Sequence, residues 1–196
     1  MGQDHLHAVL PVSPWVRSCL KQLHPDGMVP KGLRALDLAC GSGRHARHLA
    51  SIGYEVHAVD KAEPDRAGWP ANIRFEQLDL EQDAWPLDGQ QYDLIVVTNY
   101  LHRPHFHSLL NNLKQSGSVL LYETFMMGNE QFGSPRNPAF LLEPGELVEL
   151  TKPLHVLRFE QGFRGEASPA MIQRVMCISG QWSEIQSGTT TLLQRD

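Results

Sequence analysis

Three carboxylates, each in or just after a short apolar run, are the residues whose spacing suggests chemistry. Asp37 lies inside Leu36-Asp-Leu-Ala-Cys-Gly-Ser-Gly43, Asp60 ends Tyr54-Glu-Val-His-Ala-Val-Asp60, and Asp79 stands between two leucines. The first run passes into a Gly-x-Gly turn and then a helical pattern, an arrangement that binds nucleotide-like ligands at a helix N-terminus. A carboxylate at the next strand end can accept from both ribose hydroxyls. These features predict a nucleoside pocket.

The glycine turn alone fits two classes of ligand. Gly41-Ser-Gly43-Arg-His-Ala46 also matches the Gly-x-Gly-x-x-Gly/Ala fingerprint of dinucleotide sites, and Asp60 lies near the spacing of its ribose-binding acid. Asp37 would repel a pyrophosphate but suits loop amides or an ammonium group. Asp79 can accept from an adenine amino group while its leucine neighbours pack on the ring. Three acids at adjacent strand ends therefore favour S-adenosylmethionine over a nicotinamide or flavin dinucleotide.

The elements that must position these acids alternate between strand and helix patterns. Strands are expected over about 33–39, 54–59, 73–77, 92–98 and 118–125, and helices over 14–23, 43–52, 105–114 and 144–150, with Ser13 as the first N-cap. Segments 156–159 and 171–178, joined through Gly162-Phe-Arg-Gly165, suit an antiparallel pair at the sheet edge. The prediction is an α/β fold: a Rossmann-like open, mostly parallel sheet of about seven strands, with helices on both faces and an antiparallel edge strand.

Length and composition limit the classes of protein. A chain of 196 residues fits a single domain over 1–196, with a loose arm at 1–12 and a polar tail at 180–196. The net charge of -5, without a cluster of Lys and Arg, argues against nucleic acid as a partner. The sequence offers no apolar stretch long enough to span a membrane and no signal-peptide pattern. Three scattered cysteines fit a cytoplasmic protein. Monomer and homodimer both stay open.

Four motifs, in order, resemble those of the class I S-adenosylmethionine-dependent methyltransferases. Leu36–Gly43 is similar to their first motif, Ala58-Val-Asp60 to the second, Leu78-Asp79 to the adenine-contacting motif and Tyr92-Asp-Leu-Ile-Val-Val97 to the fourth. The resemblance spans about Leu33 to Val175. It implies methyl transfer with S-adenosyl-L-methionine as cofactor.

Three further segments resemble the small bacterial tellurite-resistance-type branch of that family. They are Asn99-Tyr-Leu-His-Arg-Pro104, Leu121-Tyr-Glu-Thr-Phe125 and the stretch from Asn129 to Leu147. The branch implies a compact enzyme without a large substrate-capping domain. The predicted function is methyl transfer to a small-molecule acceptor, such as a thiolate or a chalcogen oxyanion like tellurite. A nucleotide-dependent oxidoreductase and a non-catalytic S-adenosylmethionine-binding protein are the alternatives.

The predicted cofactor site follows the ends of the first four strands. Gly41 and Gly43 let the backbone approach the methionine part of the cofactor, and Cys40 is interpreted as a small packing residue and not a nucleophile. The expected cofactor-binding residues are Asp37, Ala39, Cys40, Gly41, Gly43, Asp60, Lys61, Leu78, Asp79, Leu80, Asn99 and Tyr100.

The acceptor side is expected at the segment after the fourth strand. His102 is a candidate general base for a hydroxyl or amine acceptor, with a structural role equally open. Arg103 and Arg136 are candidates for an anionic substrate group, with salt bridges to Glu123 or Glu143 as the alternative. Further tentative substrate residues are Phe132, Phe140 and Trp15. The pattern His102-x-x-His105-x-His107 lacks a partner acid or cysteine at ligand spacing, so no metal is expected.

Overall fold

A computed structural model describes residues 11–165 and 168–180 of the chain. The predicted arm and tail lie almost wholly outside these residues. Seven strands are present: β1 (Arg34–Leu38), β2 (Glu55–Asp60), β3 (Ile73–Gln77), β4 (Leu94–Thr98), β5 (Val119–Phe125), β6 (His155–Arg164) and β7 (Ala170–Ile178). The α-helices are α1 (Pro14–Leu23), α2 (Arg44–Ser51), α3 (Phe106–Leu110) and α4 (Glu146–Leu150).

The strands form one sheet in the order β3-β2-β1-β4-β5-β7-β6. The first five strands in that order pair in parallel, β7 is antiparallel to β5, and β6 is antiparallel to β7. The predicted open, mostly parallel sheet is therefore confirmed. The strand order reverses beside β1, which lies between β2 and β4. Ligands of such sheets bind in the crevice at this reversal, outside the carboxyl ends of the strands.

The sheet is covered on both faces, as predicted. On one face Val16 of α1 and Leu49 of α2 pack against alternate strand residues such as Val96. On the other face Phe106 of α3 and Leu147 of α4 pack against their neighbours in the strands. All five residues of β4 are buried, which explains its unbroken apolar sequence. Burial of each large apolar side chain contributes about 1.5–3 kcal/mol.

The first helix begins as its sequence predicts. The Ser13 hydroxyl accepts a hydrogen bond from the Val16 amide at 3.4 Å, and Pro14 occupies the first helical position. After α1 the chain turns, with the Gly27 amide donating to the His24 carbonyl at 2.9 Å. Among the described helices, none is long and apolar enough to cross a membrane.

The predicted helix over 105–114 begins within a residue of its expected start but ends four residues early. A 3₁₀ turn over Arg103–His105 leads into α3, which ends at Leu110. Beyond it the backbone pairs with Tyr92, just before β4, instead of continuing the helix. The Tyr92 amide donates to the Asn112 carbonyl at 2.8 Å, and the Lys114 amide donates to the Tyr92 carbonyl at 3.1 Å.

The last hairpin also differs from its prediction. Gly162-Phe-Arg was expected to connect two strands, but these residues belong to β6, which extends to Arg164. Gly162 pairs with Ile172 of β7 and has a φ of 126°, a conformation open to glycine. The longer strand brings Arg164 to the carboxyl end of the parallel sheet.

Candidate active site

The loop after β1 is a tight backbone turn at the point where the strand order reverses. Ala39, Gly41 and Gly43 all have positive φ, of 52°, 54° and 72°. The Cys40 amide donates to the Val59 carbonyl of β2 at 3.0 Å, which fixes the loop against the sheet. An alanine in the left-handed region costs on the order of 1 kcal/mol or more, so the surrounding structure must hold it there. The loop is thus preformed.

Asp37 of β1 is buried beneath this loop. Its side chain is 1% exposed, and one carboxylate oxygen, Oδ2, accepts from the Ala46 amide of α2 at 2.8 Å. The other oxygen, Oδ1, is buried and has no hydrogen-bond partner among the described residues. Burial raises the pKa of Asp37 to about 7, against the opposing effects of the Ala46 amide and Arg44. Oδ1 of Asp37 therefore lacks the hydrogen-bond donor that a buried carboxylate oxygen normally has.

Asp60 stands at the end of β2, beside the glycine loop. Its Oδ2 accepts from the Gly41 amide at 2.7 Å and its Oδ1 accepts from the Ala62 amide at 2.9 Å. Each carboxylate oxygen can accept more than one hydrogen bond, so both can still accept from a ligand. The two amides hold the carboxylate in one orientation.

Gly43 has a different neighbour from the one predicted. A Cβ at this position would lie 2.2 Å from Cζ2 of Trp69, so the indole and not a ligand occupies the space that the missing side chain leaves. A Cβ at Gly41 would meet nothing within 4 Å, which leaves that side of the loop open to a ligand. Trp69 lies in the segment between β2 and β3, where Lys61 is the predicted cofactor-binding residue.

Asp79 and Lys61 form an ion pair at the rim of the site. The Lys61 ammonium lies 2.8 Å from Asp79 Oδ2, and both side chains are exposed, at 75% and 42%. The hydrogen bond from Lys61 is the main reason that the pKa of Asp79 is lowered. Leu80 is buried and Leu78 is half-buried beside them. The predicted contact of Asp79 with adenine stays a prediction.

The segment after β4 connects the cofactor side to a second region. Asn99 has a φ of 57°, and its amide donates to the Glu123 carbonyl at 2.9 Å. The Tyr100 carbonyl accepts from the Tyr122 hydroxyl at 2.8 Å, while the Tyr100 hydroxyl is buried without a partner in the described part of the chain. Burial raises the pKa of Tyr100. A polar atom of this kind, like Asp37 Oδ1, is typical of a site that a ligand completes.

A cavity of about 700 Å³ opens beyond the carboxyl ends of β4 and β5. Arginine side chains from three separate segments line it, together with one buried acid and two aromatic rings: Arg44, Arg164, Arg174, Glu123, Phe125 and Phe132. Asn99 belongs to its wall and follows β4, so the cavity adjoins the cofactor side at this residue. No arginine of this group was selected from the sequence, because the three lie far apart along the chain.

Glu123 organises the floor of the cavity. It is 2% exposed, accepts from the Ser13 hydroxyl at 3.1 Å and from Arg174 at 3.2 Å, and lies 3.8 Å from Arg164. The Ser13 amide donates to His45 at 3.2 Å. Burial lowers the pKa of His45 to about 3, so its imidazole is neutral and can accept this bond. These contacts tie the start of α1 to the sheet.

Arg103 is held by contacts within the protein. Its guanidinium forms a paired contact with Glu146, at 2.5 Å and 2.8 Å, and donates to the carbonyls of Ala139 and Leu141 at 2.7 Å each. These contacts occupy the guanidinium, and the substrate role of Arg103 stays a prediction. The alternative of a salt bridge is right in kind, although Glu146 and neither Glu123 nor Glu143 is the partner. Arg103 fastens the 126–142 loop to α4.

The other predicted acceptor residues are dispersed. Phe132 lines the cavity, with its ring 5.2 Å from that of Phe163. Trp15 is 4% exposed and lies under Arg174, whose guanidinium is 5.7 Å from the ring. Arg136 is exposed and, like the 46%-exposed Phe140, does not line the cavity.

His102 lies apart from the cavity wall. Its ring is 5.1 Å from that of His105, and it contributes to the lowered pKa of Asp79, behind Lys61. The structure therefore places it beside His105 and outside the residues that line the cavity. Across the described ranges, no group of three or more His, Cys, Asp or Glu side chains is arranged to hold a metal ion. The Cys40 thiol is buried, and burial raises its pKa, so it has no nucleophilic character.

The sequence of the chain is similar to those of known methyltransferases. Residues 35–117 match the family described as a methyltransferase domain. The chain is 26% identical over 137 residues to the probable S-adenosyl-L-methionine-dependent methyltransferase TehB of Haemophilus influenzae, a match that covers 65% of this chain and 48% of that protein. The chain thus spans about half the length of the curated relatives it matches.

Solved structures show the same fold. The crystal structure of TehB from Haemophilus influenzae is similar with a TM-score of 0.63 at 17% identity, covering 81% of this chain and 61% of that chain. The 1,6-didemethyltoxoflavin-N1-methyltransferase of Burkholderia thailandensis, solved with 1,6-didemethyltoxoflavin and S-adenosylhomocysteine bound, is similar with a TM-score of 0.62 at 18% identity, covering 84% of this chain and 76% of that chain. The resemblance to the class I S-adenosylmethionine-dependent methyltransferases, expected from the sequence, is confirmed.

Proposed function

We propose that the chain is a TehB-like protein of the class I S-adenosylmethionine-dependent methyltransferases, and that it transfers a methyl group from S-adenosylmethionine to a small-molecule acceptor. The observation that carries the proposal is the free oxygen of the buried Asp37 carboxylate beneath the preformed glycine loop. The family match and the fold support the same cofactor.

The unpartnered oxygen calls for a cationic donor. A buried carboxylate without a counter-charge is costly, and the methionine part of S-adenosylmethionine carries an ammonium group that would supply one. A hydrogen bond to a charged group contributes about 1.5–3 kcal/mol. Asp60, held by two backbone amides, presents its carboxylate to the ribose hydroxyls on the same edge of the sheet. Asp37 and Asp60 would thus bind the two polar ends of one ligand.

The same contacts disfavour a dinucleotide. A pyrophosphate needs the free amides at the N-terminus of the helix after the glycine turn. In α2 the Ala46 amide already donates to Asp37, whose negative charge would face the phosphates. This geometry supports the methyl donor over the nucleotide-dependent oxidoreductase.

The residues around the cavity have a limited chemical task. Bound S-adenosylmethionine supplies an already activated methyl group on its sulfonium, so the protein has to align the acceptor and exclude water. The backbone at Asn99 and Tyr100 forms the boundary between the cofactor side and the cavity. Because His102 does not line the cavity, the geometry favours an acceptor that is already ionised, such as a thiolate or a chalcogen oxyanion.

Calorimetric titration with S-adenosylmethionine, S-adenosylhomocysteine and NADH tests the proposal. We expect micromolar binding of both sulfur nucleosides, no binding of NADH, and at least a tenfold loss of affinity in Asp60→Asn. That variant keeps an oxygen for the Gly41 amide and removes the charge. The exposed Asp88→Asn is the matched control and should bind as the wild type does.

Binding of NADH in place of the sulfur nucleosides would contradict the proposal. Binding of the sulfur nucleosides without methyl transfer to any ionised acceptor would favour the non-catalytic alternative.

A further inference from the structure

Resting on the proposed function, we propose that the acceptor is an organic anion with an apolar body, bound in the 700 Å³ cavity with its anionic group on Arg164 and Arg44. The inference concerns the substrate class of this site. It depends on the charge, the lining and the position of the cavity.

The charges in the cavity do not cancel. Arg174 is fully engaged, since it contacts Glu123 at 3.2 Å and Glu160 at 2.6 Å. Arg164 is only loosely held: its guanidinium lies 3.8 Å from Glu123 and donates to Ser168 at 3.2 Å and 3.4 Å. Two guanidinium groups therefore share one carboxylate, with Arg164 the more weakly paired.

Arg44 adds a second cation to the cavity. It is the first residue of α2, and its guanidinium donates to the Pro11 carbonyl at 3.3 Å. No carboxylate of residues 11–165 or 168–180 forms an ion pair with it. Burial lowers the pKa of Arg44, and the charges of Glu123 and Asp37 oppose that shift without forming an ion pair with it. A planar guanidinium binds carboxylates and other oxyanions through paired hydrogen bonds.

The remaining lining is apolar and too extensive for an inorganic ion. Phe125, Phe132, Pro169 and Ala170 contribute to the wall. The volume of about 700 Å³ falls within the range of about 300–1,000 Å³ that encloses drug-sized ligands. An anionic group alone would leave the aromatic wall uncovered. A ligand with both an anionic and an apolar part matches the whole cavity.

The cavity is placed for reaction with the cofactor. Arg44 follows Gly43 of the cofactor loop directly, and Asn99 of the cavity wall follows β4, which pairs with β1. An acceptor in the cavity would therefore meet the methionine end of the cofactor. In the reaction with a thiolate, a new bond forms between the acceptor sulfur and the methyl carbon as the bond to the sulfonium sulfur breaks. The sulfonium keeps that electron pair and becomes the neutral thioether of S-adenosylhomocysteine.

The test compares acids with amides of the same shape. Calorimetry on protein saturated with S-adenosylhomocysteine measures the affinity of paired aromatic and aliphatic carboxylic acids and carboxamides, with 4-mercaptobenzoate and 4-mercaptobenzamide as the pair also assayed for turnover. We expect acids to bind at least tenfold more tightly than their amides. This preference should vanish in Arg164→Gln and Arg44→Gln and be partly kept in Arg164→Lys.

Two controls separate the possible failures. Lys31→Gln changes an exposed cation before the amino end of β1, far from the cavity in the fold, and should keep the preference for acids. The affinity for S-adenosylhomocysteine, measured on each variant, tests the proposed function separately. If no sulfur nucleoside binds, the proposed function fails, and the acid and amide pairs are then compared on the unliganded protein.

Four results would overturn the inference about the acceptor. One is equal affinity for acids and amides in every pair. Another is a preference for acids that survives both arginine variants. The third is an Arg44→Gln variant that weakens S-adenosylhomocysteine binding and leaves acid binding unchanged. The fourth is inorganic tellurite or phosphate binding as tightly as the best acid, since an apolar body would then contribute nothing.

Discussion

Replacement of Asp37 by Asn should change the pH dependence of stability in a direction set by burial. Asp37 is 1% exposed, and its pKa is raised from 3.8 to about 7. Between these values the folded protein binds a proton that the unfolded chain has released. The free energy of unfolding therefore falls as the pH rises through this window, and the loss is complete above pH 7. Arg44 and the Ala46 amide oppose the shift, whereas Asp60 adds to it.

The magnitude follows from the size of the shift. Each pKa unit corresponds to about 1.4 kcal/mol, so ionisation of Asp37 at pH 8 costs the unliganded protein about 4 kcal/mol. In the folded protein the protonated acid and an asparagine are close equivalents, because each can accept from the Ala46 amide and each leaves one buried atom unpartnered. At pH 5 the unfolded wild-type chain has already released its proton, so the wild type should be less stable than the variant by about 1.5 kcal/mol.

Urea unfolding at pH 5, 6, 7 and 8 measures the effect. We expect the advantage of Asp37→Asn over the wild type to grow from about 1.5 kcal/mol at pH 5 to about 4 kcal/mol at pH 8. The same variant should bind S-adenosylmethionine at least tenfold more weakly. Asp88→Asn, an exposed acid-to-amide change, is the matched control and should follow the wild type. A difference between Asp37→Asn and the wild type that does not vary with pH would refute the reasoning about burial.

Two other substitutions test the packing of the site by urea unfolding. Glu123→Gln removes the buried charge that faces Arg174 and should cost on the order of 3 kcal/mol, whereas a loss below about 1 kcal/mol would show that the pair contributes little. Gly43→Ala should destabilise by more than Gly89→Ala, because both glycines have φ near 70° but only the first would bring a Cβ to 2.2 Å from Trp69. Equal losses at the two glycines would contradict the close contact with the indole.

The strands could be predicted because their sequences carry the information locally. Leu94–Thr98 is an unbroken apolar run, and its burial on both faces follows from that composition. The helix after β4 is shorter than predicted. The sequence pattern over 105–114 does not indicate that the backbone of Asn112 and Lys114 pairs with Tyr92. Contacts between distant segments overrode the local preference for helix.

The candidate site also contains some residues whose positions could be predicted from the sequence and others whose positions could not. Asp37, Asp60 and the glycine turn lie at the ends of consecutive strands, so their positions follow from the order of elements. The arginine cavity could not be inferred in this way. Arg44 belongs to α2, and Arg164 reaches the site only because β6 extends past Gly162. Arg103 was predicted to bind an anionic substrate group, but its guanidinium is paired with Glu146.

The most direct test of the account is a crystal structure of the protein with S-adenosylhomocysteine. The account predicts the amino group of the ligand within 4 Å of the Asp37 carboxylate, where Oδ1 lacks a partner, and the ribose hydroxyls on Asp60. A nucleoside bound away from both carboxylates would contradict the central claim, even if the ligand bound tightly.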